Sequence, residues 1–290
     1  MRIKIEGKYQ GILFIICAAF FFSLMTFFVR LSGDLPTMQK SFFRNCVAAV
    51  VSVIMLARSE EKFKVQKGSW PFLFLRAGFG TTALIFNFYA VDHMNLADAN
   101  ILNKLSPFFA ILMSWMILKE KPSKRDLATV AVAFLGAVFV AKPTPDVASV
   151  PAILGILGGF GAGVAYAFVR KMGFMGERGG VIVAFFSLFS SLVALPFLIF
   201  DFHPMTLAQF GALVGAGFAG MGGQFSITAA YTKAPAKEIS VYDYTQVIFA
   251  AVLGFVFFGQ IPDWLSVVGY VTIIGAAVFR WWQGMREEQA

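Results

Sequence analysis

Long apolar stretches separated by short basic loops are the feature that most constrains this chain. Of its 24 lysines and arginines, 18 lie in the two termini and in every second loop. Three more lie near the intervening loops, and three lie inside the apolar stretches. Cytoplasmic loops of membrane proteins carry an excess of lysine and arginine. The alternation therefore predicts an even number of membrane-spanning helices, with the N-terminus and the C-terminus both in the cytoplasm.

The composition excludes an ordinary soluble domain. Hydrophobic residues make up 58% of the 290 residues, charged residues make up 14%, and the mean hydropathy is +0.74. A membrane helix needs about 20 residues, so the chain has room for about ten spans and for no separate soluble domain. The net charge of +8 belongs to loops that flank the membrane, which predicts contact with the lipid bilayer and no nucleic-acid partner. The apolar run at 11–29 is too long for a cleaved signal peptide, so we expect an uncleaved first span.

The hydropathy pattern predicts an all-α polytopic protein of the cytoplasmic (inner) membrane, with ten transmembrane helices. Cys17 and Cys46 fall inside these helices, which is typical of buried small hydrophobic residues and not of a disulfide or a metal site. We number the predicted helices spans 1 to 10, and they cover residues 11–30, 37–57, 70–92, 97–118, 126–141, 152–170, 180–200, 206–231, 236–258 and 264–282.

A weak internal repeat relates the two halves of the chain. Shifting the sequence by 140 residues places the Phe-Val-Arg of residues 28–30 on the Phe-Val-Arg of residues 168–170. Each half contains five spans, in residues 10–142 and residues 151–284. Because five is an odd number, the halves must enter the membrane in opposite directions. Inverted repeats of this kind are typical of alternating-access transporters, whose solute site lies between the halves near the middle of the membrane.

Span 4 carries a polar face within an otherwise apolar helix. Asn100, Asn103, Lys104 and Pro107 follow helical spacing, which places them on one side. A charge at the bilayer centre costs on the order of 2.5–3.5 kcal/mol, so we expect Lys104 to face a solute together with the two amides. The alternative is that the long Lys104 side chain extends its ammonium outward to the interface.

Span 9 carries the acidic counterpart of this face. The shift of 140 residues places Asn103 on Asp243 and Lys104 on Tyr244. A pseudo-twofold arrangement would then present amides and a lysine from one half, and a carboxylate and a phenol from the other. We therefore predict that these two polar faces meet across a central cavity and bind the solute.

Two arginines also lie inside predicted spans. Arg76 shares a face of span 3 with Gly80, Ala83 and Asn87, so Arg76 and Asn87 are candidate solute ligands. The alternative for Arg76 is contact with the cytoplasmic interface or with lipid headgroups. Arg44 of span 2 is a candidate for structural pairing within the bundle.

Two acidic residues stand near the predicted starts of spans 4 and 9. Asp98 and Glu238 occupy equivalent positions of the repeat, where the N-terminus of a helix favours a carboxylate. Capping of these helices is one interpretation, and proton coupling is the other. Asp92 and His93 fall in a predicted outer loop, where we expect them to be solvated.

The sequence predicts no enzyme, no metal site and no cofactor. It contains two histidines, both in predicted outer loops, no pair of carboxylates on one face and no glycine-rich phosphate loop. An intramembrane enzyme therefore stays a remote alternative. An ion channel is disfavoured because no pore-loop motif occurs and because an inverted repeat of ten helices encloses a solute site.

Small residues recur at four-residue spacing in spans 6 and 8. They are Gly155, Gly159 and Gly163 in span 6, and Gly211 and Gly215 in span 8. Such spacing lets membrane helices approach closely. The interpretations are simple helix packing and, beyond it, the sliding that a rocking transporter requires.

The sequence from the polar start of span 4 through SPFFAILMSWMILKEKPSKRD, with Pro107 inside the span and Glu120 at its end, resembles the ten-helix EamA-type family of the drug/metabolite transporter superfamily. Residues 74–100 are also similar to the G branch of the solute carrier 35 family. The resemblance implies two EamA repeats, solute transport and often export. By family position alone, it also implies that Phe20 and Tyr89 line the cavity. Val247 and Gln260 depart from the pattern, where a proline and a glutamate are expected.

These observations together predict a secondary active transporter. The intramembrane cations favour a small polar solute that is anionic or zwitterionic, such as a carboxylate or an amino acid, moved by alternating access and exported. An exporter of lipophilic or cationic drugs is the alternative. The expected partners are the solute and the bilayer, with a proton or another ion as an optional coupling partner. The protein is expected to be a monomer or a homodimer.

Overall fold

Apolar segments of membrane-spanning length form helices throughout the described chain. The computed structural model describes residues 2–119, 123–141, 150–234 and 236–289. Within these ranges every regular element is an α-helix, which confirms the predicted fold class. The twelve helices are α1 Arg2–Leu31, α2 Thr37–Ala57, α3 Trp70–His93, α4 Leu96–Asn103, α5 Ser106–Leu118, α6 Lys124–Ala141, α7 Val150–Phe174, α8 Gly179–Phe200, α9 Leu207–Lys233, α10 Ala236–Asp243, α11 Thr245–Phe258 and α12 Trp264–Gln289.

The twelve helices correspond to the ten predicted spans because two spans are interrupted. Among the described residues, eight stretches are long and apolar enough to cross a membrane. One joins α4 to α5, and another, Val241–Phe258, joins the end of α10 to α11. The remaining spans are α6, which starts with three charged residues, and α9, whose glycines and glutamines lower its hydropathy. The prediction of continuous helices over 97–118 and 236–258 was therefore wrong in one respect: each breaks near its middle.

The break in span 4 follows from a proline. Pro107 lies in the first turn of α5, where its missing N–H and its fixed φ favour a helix start over a helix interior. Lys104 ends α4, and its backbone N–H donates to the Asn100 carbonyl at 3.0 Å. As a correction, Asn100 and Pro107 belong to different helices and do not share one continuous face.

The break in span 9 has no proline and depends on tertiary contacts. Tyr244 separates α10 from α11, and its hydroxyl donates to the carbonyl oxygen of Lys104 at 3.0 Å. The break at Tyr244 and the break at Lys104 lie 140 residues apart, which is the offset of the sequence repeat. Each interruption thus meets the other at the centre of the bundle.

Helix packing follows a symmetric scheme. If the first five spans are exchanged with the last five, every major helix pair maps onto another major pair or onto itself. The pairs are α1 with α9, α3 with α7, α2 with α8, α6 with α12, α5 with α7, and α1 with α11. A pseudo-twofold relation between two five-span halves accounts for this scheme.

Two buried apolar clusters fill the bundle on either side of the interrupted helices. The larger one joins α1, α3, α7, α8 and α9, with Phe22, Phe88 and Phe186 among its buried side chains. The other joins the interrupted helices to α6 and α12 through residues such as Leu102 and Ile273. The breaks themselves are buried at Lys104, Leu105 and Tyr244, whereas the far ends of α5 and α11 expose residues such as Met116 and Val256.

The glycine stripe of α7 packs against the broken span. A Cβ atom at Gly159 would lie 2.9 Å from the carbonyl oxygen of Leu102, and one at Gly163 would lie 2.6 Å from that of Ser106. Both distances are too short for a methyl group. The absence of side chains at these two positions therefore lets α7 lie directly on the ends of α4 and α5.

Candidate functional site

A central cavity of about 60 Å³ lies where the interrupted span 4 meets the surrounding helices. Its walls come from α1, α3, α4, α7, α8, α9 and α11, so both halves of the chain contribute. The lining residues are Phe22, Met25, Arg76, Gly80, Ala83, Leu84, Asn87, Asn103, Lys104, Ala162, Ala165, Tyr166, Phe186, Gln224 and Gln246. This volume holds only a few water molecules and is far below the roughly 300 Å³ of pockets for drug-sized ligands.

One face of α3 forms the most polar wall of the cavity. Arg76, Gly80, Ala83 and Asn87 all line it, and these are the four residues that helical spacing placed on one side of span 3. Residues that recur at three- and four-residue intervals share one helix face. Arg76 therefore points to the interior of the bundle and not to lipid headgroups.

The Arg76 guanidinium is buried, and no carboxylate among the described residues pairs with it. Its side chain is 2% exposed, and Nη2 donates to Oε1 of Gln224 at 2.8 Å. The guanidinium carbon lies 3.8 Å from the centre of the Phe186 ring, within the range of a cation–π contact. A Cβ atom at Gly80 would lie 3.0 Å from Nη1, so glycine leaves room for the guanidinium.

Lys104 and Asp243 form an ion pair between the two halves of the chain. Nζ of Lys104 lies 2.7 Å from Oδ1 of Asp243, and the two side chains are 3% and 1% exposed. A buried charge is costly unless an opposite charge compensates it. The Lys104 ammonium therefore does not extend to the membrane surface.

A hydrogen-bond network surrounds this ion pair. The Asn100 amide donates to the Leu96 carbonyl at 2.7 Å and accepts from Nε2 of Gln246. The Ser23 hydroxyl donates to the Gln246 carbonyl at 2.9 Å. Asn100 and Tyr244 thus hold the interrupted helices together and do not line the cavity, whereas Asn103 and Lys104 line it directly.

Arg44 lies close to the cavity, but its N–H groups donate to acceptors on its own helix and on a neighbouring one. The side chain is fully buried, Nη1 donates to Asn45 at 2.6 Å, and Nη2 donates to the Gly220 carbonyl at 3.1 Å. Its guanidinium carbon lies 5.7 Å from the centre of the Phe186 ring. Phe186 therefore neighbours two cations, Arg44 and Arg76, that come from different helices.

Of the two acidic candidates near the helix starts, Asp98 and Glu238, the structure describes the side chain of Asp98. Asp98 is buried and accepts a hydrogen bond of 2.7 Å from the hydroxyl of Tyr270 in α12. The first amide of α4, that of Leu96, donates instead to Oε1 of Gln260 at 2.9 Å. The side chain of Glu238, like residues Glu120 and Pro122, lies outside the part of the chain that the structure describes.

Three side chains differ from their sequence-based placement. Phe20 is 44% exposed and packs against Phe249, away from the cavity. Tyr89 stacks on His93 with ring centres 4.1 Å apart, also away from it. As a correction, Asp92 is not simply solvated, because its carboxylate lies 2.7 Å from Nζ of the buried Lys40.

Several cavity residues were missed by the sequence analysis. Gln224 and Gln246 line the cavity, as do Tyr166 and Phe186. The two glutamines carry a signal that could have found them, because an amide inside an apolar span needs a hydrogen-bond partner. The aromatic residues carry no such signal in a chain that contains 35 phenylalanines.

The described residues contain no group of three or more histidine, cysteine, aspartate or glutamate side chains placed to hold a metal ion. The chemistry that the cavity offers is binding by hydrogen bonds and charge. Its polar groups are a guanidinium, an ammonium paired with a carboxylate, and several amides.

Comparison with known proteins gives a consistent result over the whole length of the chain. A family model described as the EamA-like transporter family matches residues 9–142 and 150–281. The Pseudopaline exporter CntI of Pseudomonas aeruginosa strain UCBPP-PA14 is 32% identical over 272 residues, which cover 93% of this chain and 95% of that protein. Solute carrier family 35 member G1 of Mus musculus is 28% identical over 302 residues, which cover 95% of this chain and 80% of that protein.

One solved crystal structure superposes on the chain with a TM-score of 0.71 and covers 97% of this chain and 99% of that one. The two sequences are 17% identical. At that sequence identity, the structural similarity shows a shared fold and does not indicate a shared function.

Proposed function

The chain belongs to the EamA-like transporter family, and on that premise we propose that it exports a small polar solute, anionic or zwitterionic, by alternating access. It is an integral, multi-pass membrane protein, as its helices and its family indicate. The proposed location is the cytoplasmic membrane, with both termini inside. The proposed solute class comprises carboxylates and amino acids.

One observation supports the choice of solute: buried cations outnumber buried carboxylates around the cavity. Arg44, Arg76 and Lys104 are buried there, and among the described residues only Asp243 opposes them, already paired with Lys104. A positive site in a medium of low dielectric attracts an anion and repels a cation. The competing proposal of a lipophilic or cationic drug would need a free carboxylate in the cavity wall, and Asp243 is not free.

The proposed mechanism uses the two halves, residues 10–142 and 151–284, as inverted repeats that rock about the cavity. Support comes from the symmetric helix packing and from the two interruptions 140 residues apart. Interrupted helices near the middle of the membrane are typical of solute sites in such transporters. A cavity of about 60 Å³ must widen to take up a metabolite, so loading and opening are coupled.

The proposed direction is export. A relative that is similar over nearly the whole chain bears the name of an exporter. That name concerns pseudopaline in Pseudomonas aeruginosa, and for this chain we propose only the direction and the general class of solute.

The proposal can be tested with purified protein and a panel of solutes. A bound ligand raises stability by RT ln(1 + [L]/Kd), so carboxylates or amino acids are expected to raise the melting temperature more than quaternary amines do. The solutes that raise it are then assayed for uptake into inside-out vesicles that contain the protein or the Lys104→Met variant, because export from the cytoplasm appears there as uptake. A rise produced only by lipophilic cations would reverse the solute class, and uptake equal to that of empty vesicles would reject export of that solute.

A further inference from the structure

Arg76 is the cavity residue whose electrostatic needs are least satisfied by the protein itself. Two of its N–H groups, at Nε and Nη1, are buried without a hydrogen-bond acceptor within the described residues. None of the ion pairs formed by those residues includes Arg76. A buried cation without a counter-charge is strongly unfavourable. Arg76 therefore calls for a negative charge that the described residues do not supply.

The neighbours of Arg76 cannot supply that charge. Phe186 covers one face of the guanidinium, and Gln224 accepts from Nη2 alone. The carboxylate of Asp243 is already neutralised by Lys104 at 2.7 Å. Arg44 is a second buried cation beside the same phenylalanine, and it increases the imbalance.

The size of the cavity restricts which anion fits. A volume of about 60 Å³ takes a few waters, and a monatomic or small planar inorganic anion fits within it. Arg76 lines the cavity, and its Nε and Nη1 have no acceptor among the described residues. Gly80 lies on the same wall and has no side chain to fill the space beside Nη1.

We infer that the Arg76 wall binds a small inorganic anion of chloride or nitrate size in the solute-free protein, and that the carboxylate of the solute displaces it. Displacement by the solute rests on the proposed function, whereas binding of the inorganic anion does not. An anion at Arg76 reduces the excess of positive charge around the cavity, and its exchange for the solute carboxylate lets the solute enter without leaving Arg76 unpaired. Net export of a carboxylate is then accompanied by the return of an inorganic anion to the site.

The test compares the melting temperature of purified protein in sodium chloride and in sodium HEPES at equal ionic strength. HEPES is a bulky sulfonate outside the proposed solute class and serves as the reference anion. Above its Kd, chloride is expected to raise the melting temperature by roughly 2 °C for each tenfold increase in concentration. Nitrate is expected to act similarly.

The Arg76→Gln variant gives the sharper readout, because its effect on stability should depend on the salt. In HEPES the variant is expected to melt higher than the unchanged protein, since it lacks the uncompensated cation. In chloride that advantage should disappear, and the variant itself should not respond to chloride. Lys171→Gln removes a cation of α7 that packs on Phe72, outside the cavity residues, and should leave the chloride response intact.

The outcomes separate the two claims. Equal melting temperatures of the unchanged protein in chloride and HEPES would overturn the inference, as would an undiminished chloride response in Arg76→Gln. If Arg76→Gln is less stable in both salts, Arg76 is a structural residue and the inference fails as well. Chloride binding that no carboxylate displaces would retain the anion site and reject the proposed solute class.

Discussion

At the scale of single residues, the ion pair between Lys104 and Asp243 is the contact that joins the two halves of the chain. Both side chains are almost completely buried, and their charged atoms lie 2.7 Å apart. Removing one partner of such a pair leaves an uncompensated charge, which typically costs about 3–5 kcal/mol, whereas removing both is often nearly neutral. This asymmetry gives the pair a distinctive mutational signature.

We expect Lys104→Met and Asp243→Asn each to lower the free energy of unfolding by about 3–5 kcal/mol, and the double variant to recover most of that loss. Thermal unfolding of the three purified variants measures the coupling. Additive losses in the double variant would show that the two charges do not stabilise each other. Efflux by Asp243→Asn at several pH values tests proton coupling, because a coupled carboxylate alters the pH dependence and a merely binding one alters affinity alone.

At the scale of helices, the glycines of α7 determine how closely it approaches the broken span. A methyl group at Gly163 would contact the Ser106 carbonyl at 2.6 Å and the Ala110 amide at 2.9 Å, both of which are backbone atoms. A flexible side chain could move aside, but backbone cannot without displacing a helix. Gly211 of α9, in contrast, has no atom within 4 Å of the position of its missing Cβ.

We therefore expect Gly163→Ala to lower stability by about 1–3 kcal/mol through overpacking. The matched variant Gly211→Ala is expected to be neutral, or stabilising by up to about 1 kcal/mol through helix propensity. Melting temperatures of the two variants test the distinction between a packing glycine and a replaceable one. Equal effects would mean that α7 is free to shift away from α5.

Span positions were predictable from the sequence because hydropathy over about 20 residues responds directly to the membrane. Span 2, predicted over residues 37–57, coincides with α2. The break in span 4 carried a local signal in Pro107, which a window average does not register. The break at Tyr244 has no local signal, since it depends on a hydrogen bond to Lys104 that is 140 residues away.

Candidate site residues were predictable to the extent that they are charged or amide side chains on a helical face. The face of Arg76 and Asn87 lines the cavity because helical periodicity alone determines it. Phe20 and Tyr89 were placed by family resemblance, and they lie elsewhere because aromatic residues are equally suited to lipid and to packing. The pairing of Lys40 with Asp92 joins two helices and could not be seen in either one alone.

At the scale of the whole molecule, the two ends of the bundle are closed by equivalent loops with different chemistry. At the end that carries most basic loops, Nε of Arg178 lies 3.1 Å from Oε2 of Glu61, and the same guanidinium donates to the Lys62 and Lys64 carbonyls at 2.7 and 3.0 Å. At the opposite end, the side chain of Gln39 bonds to the backbone of His203 in both directions, at 2.9 and 3.0 Å. Under the proposed alternating-access mechanism, these two sets of contacts would break in turn.

We expect Arg178→Ala to favour opening at the basic end and Gln39→Ala to favour opening at the other. A cysteine at the cavity position Ala165, in a chain without Cys17 and Cys46, reports the change through its rate of reaction with an impermeant maleimide. Arg178→Ala should raise that rate from the basic side only. A rise from both sides would indicate general loosening of the bundle.

The charge alternation also predicts which end faces the cytoplasm. Residues 58–69 belong to the basic end and residues 201–206 to the opposite one, so single cysteines in the two loops should differ in intact cells. The cysteine in 201–206 is expected to react with an impermeant reagent, whereas the one in 58–69 should react only after the membrane is permeabilised. The reverse pattern would invert the topology and the proposed direction of export.

The ion pair at the centre of the bundle also has a consequence for biosynthesis. Asp243 follows Lys104 by 139 residues, so at about 5–20 residues per second the ribosome completes the partner roughly 7–30 s after the lysine. During that interval span 4 contains a charge with no counter-charge, and α7 is not yet in place to hold its broken middle. A chain truncated before α10 is therefore expected to be degraded rapidly and to gain lifetime from Lys104→Met, which pulse–chase labelling measures. Equal lifetimes of the truncated chain with and without Lys104→Met would show that Lys104 pairs with another group, such as a lipid phosphate, until the second half of the protein is synthesised.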